Sequence, residues 1–225
     1  MNYQSLLHSV REVAMCCGRN PDEIKLIAVS KGCCIDAMHS VYAEGGREFG
    51  ESRMVEAFEK ISLMNQDCKW HFIGRLQSKK IAKVLPYFQL IHSVDTFALA
   101  KKIADASQKQ GRVTSVLLQV NTSGEATKQG MLQEEWEGHI EALQTLSHLK
   151  IEGLMTMAPF TEDQQRIRIC FRRLAQLLKR WRPFMSHPDV FEHLSMGMSH
   201  DYAIAIEEGA TLLRIGSLLF QSPRN

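Results

Sequence analysis

The residue with the clearest chemical potential is Lys31, which follows the apolar residues 26–29 after a single serine. An apolar run of this length is typical of a buried strand, and the lysine stands where that strand ends. Partial removal from water favours the neutral form of an amine, and a neutral amine is a nucleophile. The sequence therefore predicts a nucleophilic lysine or, more simply, a lysine that marks where the strand reaches solvent.

A second charged residue, Arg214, interrupts an apolar segment near the end of the chain, between Leu213 and Ile215. A guanidinium in a strand that is buried on both faces is costly unless it meets a partner. The partner is either a ligand or a carboxylate of the protein, for which Glu51 is the candidate. The residue types alone leave both interpretations open.

Two glycine-containing segments have the composition of an anion site. Met198 and Ser199 follow Gly197 just before a predicted helix, where free backbone N–H groups and the helix dipole attract negative charge. Gly216 and Ser217 follow the last predicted strand, where glycine lets a ligand approach the main chain. Barrels of β-α units often bind phosphate after their last two strands. We therefore expect a phosphate group at these two segments.

A nucleophilic lysine close to a phosphate site favours a Schiff base with a phosphorylated aldehyde. Pyridoxal 5′-phosphate (PLP) satisfies both requirements, and so does a sugar phosphate in a class I aldolase. The pattern of residues does not distinguish these two ligands.

Eight strand-like segments alternate with helical patterns along the chain. The predicted strands are 25–29, 48–50, 70–74, 90–94, 113–121, 151–157, 191–195 and 212–215, and the predicted helices are 34–44, 53–64, 78–85, 96–109, 133–147, 162–182 and 200–208. This order predicts an α/β protein, a single (β/α)8 TIM barrel formed by one domain, 1–225. An N-terminal helix would fill the vacant place in the outer ring. An open doubly wound sheet is the alternative, although no G-x-G-x-x-G follows the first strand.

Composition excludes several classes of function. The 225 residues include 27 basic and 25 acidic ones, a formal net charge of +2, so we expect no binding to nucleic acid or membranes. No apolar run is long enough to span a bilayer, and the N-terminus does not resemble a signal peptide. The six cysteines show no metal-binding spacing and are expected to be free thiols in the cytoplasm, with Cys33 and Cys34 buried as small hydrophobic residues.

Eight motifs occur in order from Leu26 to Phe220 and together resemble one family. They are LIAVSK, REFGES, WHFIGRLQSKK, HSVDT, QVNTSGEATKQG, GLMTMAP, LSMGMSHDYAIAIEEG and LLRIGSLLF. The set is similar to the YggS/PROSC family of PLP homeostasis proteins and covers nearly the whole chain. That family is similar in fold to the barrel domain of alanine racemase, the type III fold of PLP proteins.

The resemblance implies a role for six residues. Lys31 would carry PLP as an internal aldimine, and Arg214 would face the pyridine nitrogen. The phosphate would be held by Met198, Ser199, Gly216 and Ser217. Family members generally have no confirmed catalytic activity and influence the cellular balance of PLP by binding it. PLP-dependent apoenzymes are the expected recipients, and a monomer is expected.

Several positions depart from the family pattern. Ser52 and Arg53 replace an asparagine and a tyrosine, and Lys79 replaces an asparagine. A proline that usually follows the lysine is absent near Cys33 and Cys34, and Gln221 replaces a glycine. The change to Ser52 removes a polar group that the family places near the cofactor.

A PLP-dependent amino-acid racemase or decarboxylase is the alternative to a carrier. A racemase of the related fold needs a second acid/base group, usually a tyrosine from a separate β domain, and we expect no such domain before Asn225. The four tyrosines, Tyr3, Tyr42, Tyr87 and Tyr202, include none at a predicted strand end. An arginine also disfavours a protonated pyridine nitrogen, which strong PLP electron sinks require. The sequence therefore favours a non-catalytic PLP-binding protein.

Overall fold

Eight short parallel strands form the centre of the protein in a computed structural model, which describes residues 1–125 and 129–220. The strands are β1 (Lys25–Val29), β2 (Glu48–Glu51), β3 (Lys69–Phe72), β4 (Leu90–Val94), β5 (Thr114–Gln119), β6 (Leu149–Met155), β7 (His193–Ser195) and β8 (Leu212–Ile215). All eight predicted strands are confirmed, and every boundary lies within two residues of its predicted place. Their apolar composition follows from burial on both faces of the sheet.

The sheet closes on itself. β1 is hydrogen-bonded to both β2 and β8, with Ala28 opposite Phe49 on one side and opposite Ile215 on the other. The remaining strands pair in chain order, each parallel to the next. The predicted TIM barrel is thus confirmed, and the alternative of an open doubly wound sheet is wrong.

Nine α-helices surround the barrel in the described part of the chain. They are α1 (Tyr3–Cys16), α2 (Ile35–Ala43), α3 (Met54–Leu63), α4 (Ile81–Val84), α5 (Phe97–Lys109), α6 (Gln133–Glu137), α7 (Ile140–Leu143), α8 (Gln164–Trp181) and α9 (Tyr202–Glu207). The single helix predicted over 133–147 is wrong, because Gly138, a poor helix former, separates α6 from α7. No described helix is both long and apolar enough to cross a membrane.

The N-terminal helix α1 occupies the predicted vacant place in the outer ring. At its start, the Gln4 amide donates to Glu44 Oε2 at 3.1 Å, just after α2. Beyond its end, Arg19 Nη1 donates to the carbonyl oxygens of Ile206 and Ala210, each at 2.8 Å. Those carbonyls belong to the last turn of α9 and the residues after it, so Arg19 satisfies acceptors that a helix end leaves open.

Hydrophobic side chains pack in two layers. The larger layer lies between the sheet and the helices, and a smaller cluster fills the barrel interior: Ile27, Leu90, Leu117, Met155 and Leu212. Because successive side chains of a strand point to opposite faces, residues two apart from these also point inward. Two of those inward positions are polar, His92 and Arg214, and both are buried. His71 and Ser195 are also buried and form hydrogen bonds with these two side chains. The barrel interior therefore contains both an apolar cluster and a group of buried polar side chains.

The cysteines differ in part from the expectation. All six are free thiols, as predicted, but Cys34 is exposed and Cys33 is only half-buried. The prediction that these two are buried is wrong because they lie in the loop between β1 and α2, where Cys33 packs only in part against the hydrophobic core. Burial raises the pKa of Cys33 to about 11, so its thiol is protonated and unreactive near neutral pH.

Candidate functional site

Lys31 lies at the C-terminal end of the barrel, two residues after β1, in a turn with Gly32. Gly32 has φ +71°, which a residue with a side chain rarely adopts. Lys31 itself is exposed. The expected partial desolvation is therefore wrong in this structure, because the turn carries the side chain beyond the end of the strand.

A buried cluster fixes the main chain directly before Lys31. Ser30 Oγ donates to Glu51 Oε1 at 2.7 Å, and both residues are fully buried. Lys60 Nζ, from α3, donates to the same carboxylate oxygen at 2.7 Å and to the Ser30 carbonyl at 2.6 Å. The ammonium thus connects the carboxylate at the end of β2 to the backbone directly after β1. This cluster holds the peptide that precedes the candidate nucleophile.

Arg214 is buried inside the barrel, with only 4% of its surface exposed. Its Nη1 donates to Ser195 Oγ at 2.5 Å and its Nη2 to the Thr156 carbonyl at 2.9 Å. The proposed ion pair with Glu51 is wrong, because that carboxylate pairs with Lys60. Burial lowers the pKa of Arg214 to about 10, partly offset by the nearby Asp201, so the guanidinium remains charged at neutral pH.

The direction of the Arg214 side chain follows from its partners. Thr156 directly follows β6, and β6 and β8 are not neighbours in the sheet. A bond between them therefore crosses the barrel interior. Two of the five N–H groups of a guanidinium are used in the hydrogen bonds between described residues, so others remain for a ligand. Arg214 is level with Ile27 of β1, which places it below the turn of Lys31.

The segment between β7 and α9 contains Gly197, whose φ is +92°. The Met198 amide donates to Asp201 Oδ1 at 2.5 Å, so that N–H is already used. Burial raises the pKa of Asp201 despite this hydrogen bond and the nearby Arg214. The Ser199 amide takes part in none of the hydrogen bonds between described residues. The Ser199 amide is therefore available to donate to an anion.

The segment after β8 forms a tight turn. The amides of Leu219 and Phe220 both donate to the Gly216 carbonyl, at 2.9 and 2.8 Å. A Cβ at Gly216 would lie 3.2 Å from the Val29 carbonyl oxygen, a tight contact, so glycine lets the ends of β8 and β1 approach closely without a shift of the main chain. Ser217 is exposed, and among described residues its amide also has no acceptor. This turn therefore presents a second N–H donor at the same end of the barrel.

Of the six predicted site residues, Arg214 thus lies on β8, and the other five lie in the segments that follow the neighbouring strands β7, β8 and β1. An amine, a buried cation and two segments with uncommitted amides suit a small phosphorylated ligand that carries an electrophilic carbon. Sequence reasoning missed Lys60, His71 and His92. Their buried polar partners lie on other elements, and His92 and Ser195 are 103 residues apart, so local spacing gave no signal.

Comparisons with known proteins agree with this arrangement. The family model described as "Alanine racemase, N-terminal domain" matches residues 1–223. A "Pyridoxal phosphate homeostasis protein" from Aquifex aeolicus is 38% identical over 216 residues, which is 96% of this chain and 94% of that protein. The structure of PipY from Synechococcus elongatus with PLP bound has a TM-score of 0.83 and 33% identity, and the match covers 94% of this chain and 99% of that one.

The barrel is also similar to that of more distant proteins. Alanine racemase from Corynebacterium glutamicum matches with a TM-score of 0.71 at 18% identity, over 97% of this chain but 60% of that one. At this level of identity the similarity concerns the fold alone.

Proposed function

Because this chain belongs to the family of pyridoxal phosphate homeostasis proteins built on the alanine racemase N-terminal domain, we propose that it binds PLP and takes part in PLP homeostasis. The observation that carries the proposal is the buried Arg214, which keeps N–H groups available beneath the turn of Lys31. A permanent cation in a barrel interior needs an electron-rich partner, and a pyridine nitrogen is one.

Each site residue has a role in this proposal. The Lys31 amine attacks the aldehyde carbon of PLP, the carbonyl oxygen leaves as water, and a Schiff base remains. Arg214 donates to the ring nitrogen. Ser199 and Ser217 donate to the phosphate, with Met198 and Gly216 shaping the main chain around it. When bound, PLP supplies an electrophilic carbon that other primary amines can also attack.

We propose a carrier and not an enzyme. Arg214 is a donor that retains its proton, so it disfavours protonation of the ring nitrogen and weakens the electron sink that racemases and decarboxylases need. The exposure of Lys31 suits exchange of the cofactor with amines of other proteins, and PLP-dependent apoenzymes are the proposed recipients. The free cysteines accord with a reducing compartment, and we propose that the protein is cytoplasmic. We also propose that it is a monomer.

Titration with PLP tests the binding. The wild-type protein should develop an absorbance band of a Schiff base that is lost on reduction with borohydride. Lys31→Ala should show no such band, whereas Lys101→Ala, which removes an exposed lysine on α5, should behave like the wild type. A band of normal intensity in Lys31→Ala would refute the role of Lys31.

A second experiment separates the carrier from the enzyme. The PLP-loaded protein is incubated with each amino acid in deuterated water, and deuterium at Cα is measured by mass spectrometry. The proposal predicts no more exchange than free PLP catalyses. Exchange over many turnovers with any amino acid would favour the racemase or decarboxylase.

A further inference from the structure

A continuous chain of buried polar side chains crosses the barrel interior and ends at Arg214. Glu48 Oε2, at the start of β2, lies 2.7 Å from His71 Nε2. His71 Nδ1 lies 2.9 Å from His92 Nε2, and His92 Nδ1 lies 2.8 Å from Ser195 Oγ. Ser195 Oγ in turn accepts the hydrogen bond of Arg214.

The chain spans the barrel from one end to the other. Glu48 and Lys69 begin their strands and form an ion pair at 3.3 Å at the N-terminal end. His92 on β4 contacts Ser195 on β7, and these strands are not neighbours, so the contact passes through the interior. His71 is 3% exposed and His92 is fully buried. Water therefore cannot replace these hydrogen bonds.

The chemistry of the two ends fixes the direction of the chain. Glu48 is a carboxylate, because the hydrogen bonds from His71 and Lys69 lower its pKa in spite of burial. Burial holds the pKa of His92 well below its ordinary value, with the charge of Arg214 acting in the same direction, so its imidazole is neutral. A neutral imidazole has one donor and one acceptor nitrogen.

With His71 neutral as well, one pattern satisfies every member of the chain. His71 donates from Nε2 to Glu48, so its Nδ1 accepts from His92 Nε2. The Nδ1 of His92 then accepts from the Ser195 hydroxyl, whose oxygen accepts from Arg214. All donors point from the guanidinium toward the carboxylate.

We propose that His92 is a positioning residue for Arg214: through Ser195 it holds the guanidinium in the orientation that the ring of PLP requires, and Glu48 and His71 fix its tautomer from the opposite end of the barrel. The inference rests on the proposed function, because it concerns the orientation of a residue toward that ligand. The hydrogen-bond chain itself is a property of the protein without PLP.

Nitrogen NMR of the PLP-free protein labelled in its histidines tests the chain directly. The expected spectrum shows His92 with a protonated Nε2 and an unprotonated Nδ1. Ser195→Ala removes the donor to Nδ1 and should shift that signal, whereas His39→Gln, at an exposed position on α2, should leave it unchanged. A protonated Nδ1 on His92 would overturn the proposed direction.

PLP binding then tests the effect on Arg214. Ser195→Ala and His92→Phe should each weaken PLP affinity by about fivefold to tenfold, the effect of one lost hydrogen bond, and should shift the absorbance maximum. His39→Gln should keep the wild-type affinity and maximum. If both variants bind PLP like the wild type, the positioning role is wrong although the proposed function stands. If the wild type itself binds no PLP, the proposed function and the positioning role fall together, while the NMR result still decides whether the chain exists.

Discussion

The position of the Lys31 main chain depends on neighbouring residues that form a buried cluster. Its own side chain is exposed, but the peptide before it is held by Ser30, Glu51 and Lys60 in a cluster with little access to water. Glu51 is fully buried, and the Lys60 side chain is 12% exposed. A buried carboxylate is tolerated only with a partner of opposite charge, so Lys60 is needed for the cluster to form.

Lys60→Met should therefore destabilise the protein by about 3 kcal/mol, the lower end of the cost of leaving one partner of a buried ion pair alone. Urea unfolding followed by circular dichroism measures the change. Adding Glu51→Gln to Lys60→Met should recover part of the loss, because the unpaired charge is then gone.

The matched control for this prediction is Lys83→Met, which removes an exposed lysine from α4 and should change the free energy of unfolding by less than about 0.5 kcal/mol. If Lys60→Met costs no more than this control, the cluster does not hold the site.

Among single residues, those whose charge differs from the apolar character of their sequence neighbours could be identified from the sequence. Lys31 and Arg214 are charged residues within or beside apolar segments, and that contrast is visible in the sequence. Lys60 has no such contrast, since it lies on α3 among other charged residues. The partner of Arg214 was also not predictable, because a guanidinium can be satisfied by a hydroxyl and a carbonyl as well as by a carboxylate.

At the scale of elements, the segment between β7 and α9 shapes one side of the site. Gly197 has φ +92°, and a Cβ there would lie 2.5 Å from Ala205 Cβ of α9. The conformation and the close packing both require glycine. Gly111 allows the two effects to be separated. It also has a positive φ of +63°, but a Cβ added there would have no atom within 4 Å.

Gly111→Ala should cost about 1 kcal/mol, the strain of a left-handed residue with a side chain. Gly197→Ala should cost about 2 kcal/mol more, because it adds a clash within a packed layer. Thermal or urea unfolding measures both variants. PLP affinity should fall in Gly197→Ala alone, since only that segment lies at the site. Equal losses of stability in the two variants would show that α9 does not pack tightly against this segment.

The elements themselves were predictable because most strands contain an apolar run bounded by polar or glycine-containing turns, although β2 has a glutamate at each end. The two short helices α6 and α7 were not, since their hydrophobic spacing continues across Gly138 and conceals the break. Closure of the barrel could be inferred from eight repeated units, but only the pairing of β1 with β8 establishes it.

At the scale of the whole molecule, the polar interior makes stability depend on pH. His92 is buried and neutral, with a pKa that burial lowers well below its ordinary value, and burial lowers the pKa of His193 as well. The unfolded chain binds protons at these histidines below about pH 6.5, whereas the folded protein does not. Acid therefore favours the unfolded state, and stability is lost as the pH falls below that value.

Between about pH 6.5 and 5, the free energy of unfolding should fall by up to about 1.4 kcal/mol per pH unit for each histidine that stays neutral. His92→Gln should reduce this slope, because it removes one of these groups. His39→Gln, at an exposed position, should leave the slope unchanged. Urea unfolding at several pH values provides the measurement, and the same slope in His92→Gln as in the wild type would contradict the buried neutral state.

The most direct test of the account is the position of the covalent bond to PLP. The PLP-loaded protein is reduced with borohydride, digested with trypsin and analysed by mass spectrometry. Trypsin normally cuts after Lys25, Lys31 and Arg47, so a modified Lys31 leaves residues 26–47 as one uncut peptide that carries the pyridoxyl group. The account predicts this peptide as the principal labelled product. A label found mainly on another lysine, or on none, would contradict it.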